Sequence, residues 1–243
     1  DNYGRTPLSY TAWFGCEEIV KVLLGREEVN PDKPNNYDQT PLSFATARGD
    51  DGVVKILLRR EEVSSDKPDN FGQTTLSYAA WFQSQDLMVK ILLGREEVTP
   101  NKPDNSALTP LLPAARNGHY AVVKIPFGWE GVSPHKPDNY GRTPLSYTAW
   151  FGCEEIVKVL LGREEVNPDK PNNYDQTPLS FATARGDDGV VKILLRREEV
   201  SSDKPDNFGQ TTLSYAAWFQ SQDLVGVILG REGVNPDGSK NHD

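Results

Sequence analysis

The chain is poor in the residues that usually do chemistry. Its 243 residues include one methionine, two cysteines and three histidines. His119, His135 and His242 stand apart, with no HxxxH spacing and no Cys/His cluster around any of them. A metal site needs three or four converging ligands, and the sequence offers none. It also lacks the GxxxxGK[ST] loop that cradles phosphates. The Glu pairs that might suggest acid–base work recur along the whole chain, as solvated surface features do. The sequence therefore predicts no catalysis, no metal and no cofactor. No apolar run approaches the roughly 18–20 residues of a membrane-spanning helix. Lys and Arg (26) are outnumbered by Asp and Glu (35), giving a net charge of −9 without any basic block. That balance argues against nucleic acid and against an anionic membrane as partners. The chain opens without an initiator methionine or a secretory signal, and it reads as an excerpt beginning at a repeat boundary.

Repetition dominates what is present. Residues 1–87 recur letter for letter as residues 138–224. Identity that extends to surface positions means recent copying, by unequal crossover or an artificial join, or an array that expands and contracts to change a binding surface. A shorter period lies inside the long one. Aligning on Thr6-Pro7-Leu8-Ser9 picks out Thr40, Thr74, Thr109, Thr143, Thr177 and Thr211, at steps of 34, 34, 35, 34, 34 and 34. Seven units result, starting near 1, 35, 69, 104, 138, 172 and 206, with a polar tail at 235–243.

Each unit carries the same local signals. Thr before Pro starts a helix, because the hydroxyl caps free N–H groups and Pro at the first helical position loses nothing. This first helix runs from Pro7 to about Trp13 and is broken by Gly15. The second runs from about Cys16 to Leu24, with Ile19, Val20, Val22, Leu23 and Leu24 as its apolar stripe. A Pro-, Asn-, Asp- and Gly-rich connection follows. One helix pair cannot bury its own apolar face, so the units must stack. Cys16 and Cys153 occupy one position four units apart. Stacked at about 8–10 Å per helix layer, they lie too far apart for a disulfide. Free thiols fit a reducing, cytoplasmic location.

The motif "DNYGRTPLSYTAWFGCEEIVKVLL" resembles the ankyrin repeat: Asp, Gly, Thr-Pro-Leu, a small pair, Gly, then Ile-Val and Leu-Leu. The resemblance spans essentially the whole chain in seven in-phase copies. It implies an all-α solenoid of helix-turn-helix units with extended, hairpin-like connections. Ser replaces the family's usual His after Thr-Pro-Leu at Ser9, Ser43, Ser77, Ser146, Ser180 and Ser214. The long Pro-Asp-Lys-Pro turn is similar to fungal arrays, some of which form the C-terminal sensor region of NLR-like signalling ATPases.

In that family the hairpin tips and first helices form a concave face that binds proteins or peptides. Matched by position, the partner-binding candidates are Tyr3, Arg5, Trp13, Phe14, Tyr37, Arg48, Phe71, Trp81 and Phe82. Their counterparts in the second half are Tyr140, Arg142, Trp150, Phe151, Tyr174, Arg185, Phe208, Trp218 and Phe219. The tip asparagines Asn2, Asn36, Asn70, Asn105, Asn139, Asn173 and Asn207 fall on the same face, as does Arg116. Four of the five tryptophans thus share one structural position in alternate units. Aromatic side chains and Arg in a row are the material of binding hot spots. The same rings stacked on neighbouring units would serve packing alone. The expected function is non-catalytic protein recognition by a monomeric array. The alternative is a structural spacer or scaffold segment of a larger signalling protein.

Two irregularities carry expectations of their own. The third unit has one extra residue, which belongs in Gln83-Ser84 if the second helix is to keep its register. The fourth unit is degenerate: Ala107 replaces the turn Gly, and Pro113 and Pro126 fall in its helices.

Overall fold

The structure, a computed structural model, describes residues 1–82, 86–124, 132–231 and 234–236. Pro126, the loop residues Gln83 and Ser84, and residues 237–243 of the polar tail lie outside them. The chain divides into two compact units. One comprises Asp1–Ala114 with Ala121–Val132, the other Ala115–Tyr120 with Ser133–Asp243. Among the described residues the only regular elements are helices, and they come in pairs.

In the first compact unit the pairs are α1 (Pro7–Phe14) with α2 (Glu17–Leu24), α3 (Pro41–Arg48) with α4 (Asp51–Leu57), and α5 (Thr75–Trp81) with α6 (Asp86–Leu93). The short helices α7 (Leu111–Arg116) and α8 (Tyr120–Lys124) follow. The second unit holds α9 (Pro144–Phe151) with α10 (Glu154–Leu161), α11 (Pro178–Ala184) with α12 (Asp188–Leu195), and α13 (Thr212–Trp218) with α14 (Gln222–Leu229). First helices pack on first helices, α1 on α3 on α5 and α9 on α11 on α13. Second helices pack likewise, α2 on α4 on α6 and α10 on α12 on α14. Two rows result in each compact unit, and the core lies between them. Ala12, Ala45, Ala149 and Ala182 are wholly buried in the first row, where small side chains let the helices approach.

The helix starts form for local reasons. Thr6, Thr40, Thr143 and Thr177 each accept the backbone N–H of the Ser three residues on, with Pro at the first helical position. Where Thr75 and Thr212 replace that Pro, Thr74 with Ser77 and Thr211 with Ser214 form reciprocal capping boxes. The box is not confined to repeats without that Pro: Thr143 and Ser146 form it too, with Pro144 at the first helical position. Gly15 ends α1 in the left-handed region at φ 70°, as the sequence predicts. Gly25 does not end α2 that way; its φ is −74°.

The extra residue of the third repeat leaves α6 intact. The helix has eight residues, as α2 has, and buries Met88, Val89, Leu92 and Leu93. These match Ile156, Val157, Leu160 and Leu161, the buried set of α10. The insertion therefore lies upstream of Asp86, and the packed face keeps its register. The apolar stripe of the first repeat is narrower than its sequence suggests: Ile19 is 50% exposed, while the identical Ile156 is 2% exposed. Gly118 and Tyr120 lie beside Ile156, and Ile19 has no counterpart of them among the described residues. Burial here belongs to the interface between repeats, as in any one-dimensional stack.

Candidate partner-binding face

The turns before the first helices are built on one acidic or amide side chain each. Oδ1 of Asp138 accepts the N–H groups of Tyr140 and Arg142, both at 2.9 Å. Asn172 does the same for Tyr174 and Gln176. The following Gly or Asp then takes a positive φ: 77° at Gly141, 58° at Asp38 and 57° at Asp175. A Cβ on Gly141 would also lie 2.5 Å from Oδ1 of Asn173, so both angle and space demand glycine there.

Consecutive turns are tied together by their asparagines. The backbone N–H of Asn36 donates to the Tyr3 carbonyl at 2.9 Å, and that of Asn173 to the Tyr140 carbonyl at 2.9 Å. The side-chain amides add a second bond: Asn36 Nδ2 to the Asn2 carbonyl and Asn173 Nδ2 to the Asn139 carbonyl, both 3.0 Å. These asparagines lie on the expected face, but their side chains hold the array together. Position-matching missed this, although an Asn at the same place in every repeat was the available signal.

The repeats alternate beneath the turns. Odd repeats pair Asp with a Tyr nine positions on: Tyr78 Oη donates to Asp69 at 2.7 Å, Tyr147 to Asp138 at 2.9 Å and Tyr215 to Asp206 at 2.7 Å. The fourth repeat has Asp104 with Pro113, and the second and sixth carry Asn35 with Phe44 and Asn172 with Phe181 instead. There the spare amide goes sideways to glutamine, Asn35 Nδ2 to Gln39 Oε1 at 3.0 Å, and Gln39 passes on to the Tyr78 hydroxyl at 2.8 Å. Burial, then donation to Asp138, push the Tyr147 hydroxyl from its usual 10.0 up to about 12. These phenols are structural donors, not acids for catalysis.

Above this layer lie aromatic rings and arginines. The guanidinium of Arg142 is 4.7 Å from the Tyr140 ring and 4.9 Å from the Tyr147 ring. Its Nη2 is 2.7 Å from the Asp138 carboxylate. Trp13 meets Phe44 edge to face at 6.0 Å, and Trp150 meets Phe181 the same way at 5.7 Å, both at 88°. Arg48 lies over Trp13 at 5.5 Å and Arg185 over Trp150 at 5.6 Å. The tip rings also stack, Tyr3 on Tyr37 at 6.4 Å and Tyr174 on Phe208 at 6.2 Å. The tryptophans thus pack on the next repeat and still keep an open edge: Trp13 is 39% and Trp150 38% exposed. Trp218 and the rings of Phe14, Phe71, Phe82, Phe151 and Phe219 are exposed; Trp81 and Arg5 are half-buried. None of the eighteen candidates is buried.

Two recesses open on this face within the second compact unit. The first, of about 380 Å³, lies among Arg116, Arg142, Ser146, Tyr147, Trp150, Phe151 and Phe181. The second, of about 410 Å³, lies among Trp150, Gln176, Ser180, Phe181, Ala184, Gln210, Tyr215, Trp218 and Phe219. The Trp150–Phe181 pair is common to both.

On the far side, an arginine that reads as part of a solvated Arg-Glu-Glu run has a structural task. Arg95 donates to the Leu58 carbonyl at 3.3 Å and Arg231 to the Leu195 carbonyl at 2.8 Å; Arg60 donates to the Leu24 carbonyl. Each satisfies the C-terminal end of the preceding repeat's second helix. Both cysteines are free, and burial pushes the Cys153 thiol up, away from the thiolate a nucleophile needs. Among the described residues no three His, Cys, Asp or Glu side chains gather as a metal ion would require.

The family model for ankyrin repeats (3 copies) matches residues 8–104, 45–125, 84–172 and 164–239. The chain belongs to the ankyrin repeat family. A solved ankyrin structure agrees in fold. The human ASB11 ankyrin repeat domain superposes with a TM-score of 0.79 at 22% identity, covering 95% of this chain and 100% of that one. No curated protein matches the chain. Ankyrin repeats are in general protein-interaction modules and typically non-catalytic, and among the described residues no helix is long and apolar enough to cross a membrane.

Proposed function

We propose that this ankyrin array is a non-catalytic recognition module that binds a protein or peptide on the concave face formed by its turns and first helices. The observation that carries the reading is the twice-built aromatic–arginine relief, Trp13–Phe44–Arg48 and Trp150–Phe181–Arg185, whose tryptophans remain more than a third open. Rigid aromatic rings flanked by guanidinium groups lose little conformational freedom on binding and supply hot-spot contacts. The chain acts as a monomer inside the cell, where the two thiols stay reduced. Its long turns fit the fungal setting of an NLR-like sensor region.

The second reading, a structural spacer, is favoured by the same stacks, because Trp13 and Trp150 each join one repeat to the next. Affinity capture separates the two. A Trp81→Ala/Trp150→Ala chain that melts as a folded array should lose the protein partners that the parent retains. Partners retained equally by both chains would move the site off this face, and a parent that retains none would favour the spacer.

A further inference from the structure

The recess around Trp150 and Trp218 is aromatic, and the charge at its rim is positive and unpaired. Trp150, Phe181, Trp218 and Phe219 supply rings around a space of about 410 Å³. Its polar groups are mostly committed. Gln176 accepts the Asn172 amide on Oε1 and donates its own amide to the Tyr215 hydroxyl. Ser180 donates to the Thr177 carbonyl. Tyr215 donates to Asp206, a carboxylate 1% exposed that also accepts the N–H groups of Phe208 and Gln210. No carboxylate stands among the residues that line the recess. The side-chain amide of Gln210 is exposed and has no partner among the described residues.

Arg185 supplies the rim charge. It follows Ala184, which lines the recess, and its guanidinium lies over the Trp150 ring at 5.6 Å. Trp150 is itself braced edge to face on Phe181. Arg185 is exposed, and among the described residues no carboxylate pairs with it. Arg142 shows the contrast: it too lies over aromatic rings, yet its charge is taken by Asp138 at 2.7 Å. An indole holds the Arg185 fork in place without neutralising it, so an incoming carboxylate meets donors that are already ordered. A cation finds no such partner, because Asp206 is sealed beneath Tyr215.

A carboxylate bonded to Arg185 at about 2.8 Å stays within reach of a side chain seated against Trp150. In an extended peptide, side chains two residues apart share a face and are separated by about 6.5–7 Å. Resting on the recognition reading above, we infer that the second compact unit binds an extended peptide that seats a large apolar side chain in the Trp150–Trp218 recess and places an acidic side chain, two residues away, on Arg185. The Gln210 amide is left for the peptide backbone.

The same residues recur in the first compact unit, where Arg48 lies over Trp13 at 5.5 Å. The test therefore starts from the full chain carrying Arg48→Ala, so that Arg185 is the one such arginine left. Labelled, end-blocked peptides Gly-Trp-Thr-Glu-Gly and Gly-Glu-Thr-Trp-Gly cover the two chain directions, and the tighter is carried forward. The expected result is saturable binding that weakens about tenfold when the peptide Glu becomes Gln, and about tenfold when its Trp becomes Ala. Added salt should shrink the first difference and leave the second. In an Arg48→Ala/Arg185→Ala chain with unchanged circular dichroism, the Glu and Gln peptides should bind alike while Trp is still preferred to Ala. Three results overturn the inference: equal binding of the Glu and Gln peptides to the Arg48→Ala chain, a Glu preference that survives the loss of both arginines, or no saturable binding of either peptide. The recognition reading outlives that failure if the parent chain captures a partner that Trp81→Ala/Trp150→Ala loses. If that double variant keeps every partner, both fall.

Discussion

The hydroxyl of Tyr147 donates to Oδ2 of Asp138, nine positions upstream, at 2.9 Å. That bond fastens a first helix to the turn that precedes it, and Arg142 closes over both groups. Because the phenol is held neutral up to about 12 against an ordinary 10.0, the folded chain binds a proton that the unfolded chain releases. The stabilisation is therefore complete below the unfolded value and is lost as pH rises through the folded one. Stability should fall between pH 10.0 and about 12, with tyrosinate absorbance rising together with unfolding. A Tyr147→Phe chain should lose part of that dependence.

The second and sixth repeats show the alternative solution, Asn with Phe. A single Tyr147→Phe change strips a buried carboxylate oxygen of one donor and should cost about 1–3 kcal/mol. Adding Asp138→Asn recreates the pair that Asn172 and Phe181 form and should recover part of the loss. Chemical denaturation of both single variants and the double completes the cycle; strict additivity would show that the two positions act independently.

Ala107 sits at φ 61°, where Gly72 and Gly141 hold 78° and 77°. A non-glycine residue in this region costs roughly 1–2 kcal/mol. Ala107→Gly should thus raise the unfolding free energy by about 1 kcal/mol, read as a higher denaturation midpoint. The reverse change, Gly72→Ala, should cost more than that, since its Cβ would lie 2.7 Å from Oδ1 of Asn105.

The fourth repeat should be the weakest internal link. Its first helix, α7, has six residues, against seven or eight in the first helices of the other repeats, and it begins after Pro110 where α1, α3, α9 and α11 begin at the Pro. In a stack held by neighbour contacts, one poor repeat divides cooperative unfolding. Hydrogen exchange should find Asn105–Trp129 the least protected stretch between the end repeats; protection equal to its neighbours would refute this.

Glu97 offers an acid-side test. The Ser65 hydroxyl at 2.6 Å, and then Arg95 at 2.7 Å, hold its carboxyl at about 2 instead of 4.5. A depressed carboxylate stabilises the fold above its unfolded value, and that contribution disappears as pH falls from 4.5 to about 2. Ser65→Ala should narrow the difference in stability between about pH 6 and about pH 3, on either side of the ordinary carboxylate range.

What could be read beforehand followed the range of the interaction. Thr-Pro starts, Gly15 and the register of α6 depend on residues within one turn, and the alphabet of a single repeat states them. The Asn36 and Asn173 ladder, the Arg95 and Arg231 caps and the Trp–Phe–Arg stacks depend on which residues meet across repeats, which required the stack itself. The Asp–Tyr and Asn–Phe alternation lay in plain view at a spacing of nine, but nothing local marks that spacing as a contact. Exposure followed the same divide, since Ile19 and Ile156 have identical neighbours in sequence and opposite surroundings in space.

The most direct test of the recognition face measures melting and partner binding on one Trp81→Ala/Trp150→Ala chain. Each lost edge-to-face or cation–π contact is worth about 0.5–1.5 kcal/mol, whereas a hot-spot Trp contributes 2 kcal/mol or more to binding. The account predicts a melting point lowered by a few degrees, at about 2–4 °C per kcal/mol for a chain this size, with partner binding abolished. A chain that unfolds far earlier would make the tryptophans packing residues, and one that melts slightly lower yet binds the same partners with unchanged affinity would contradict the claim outright.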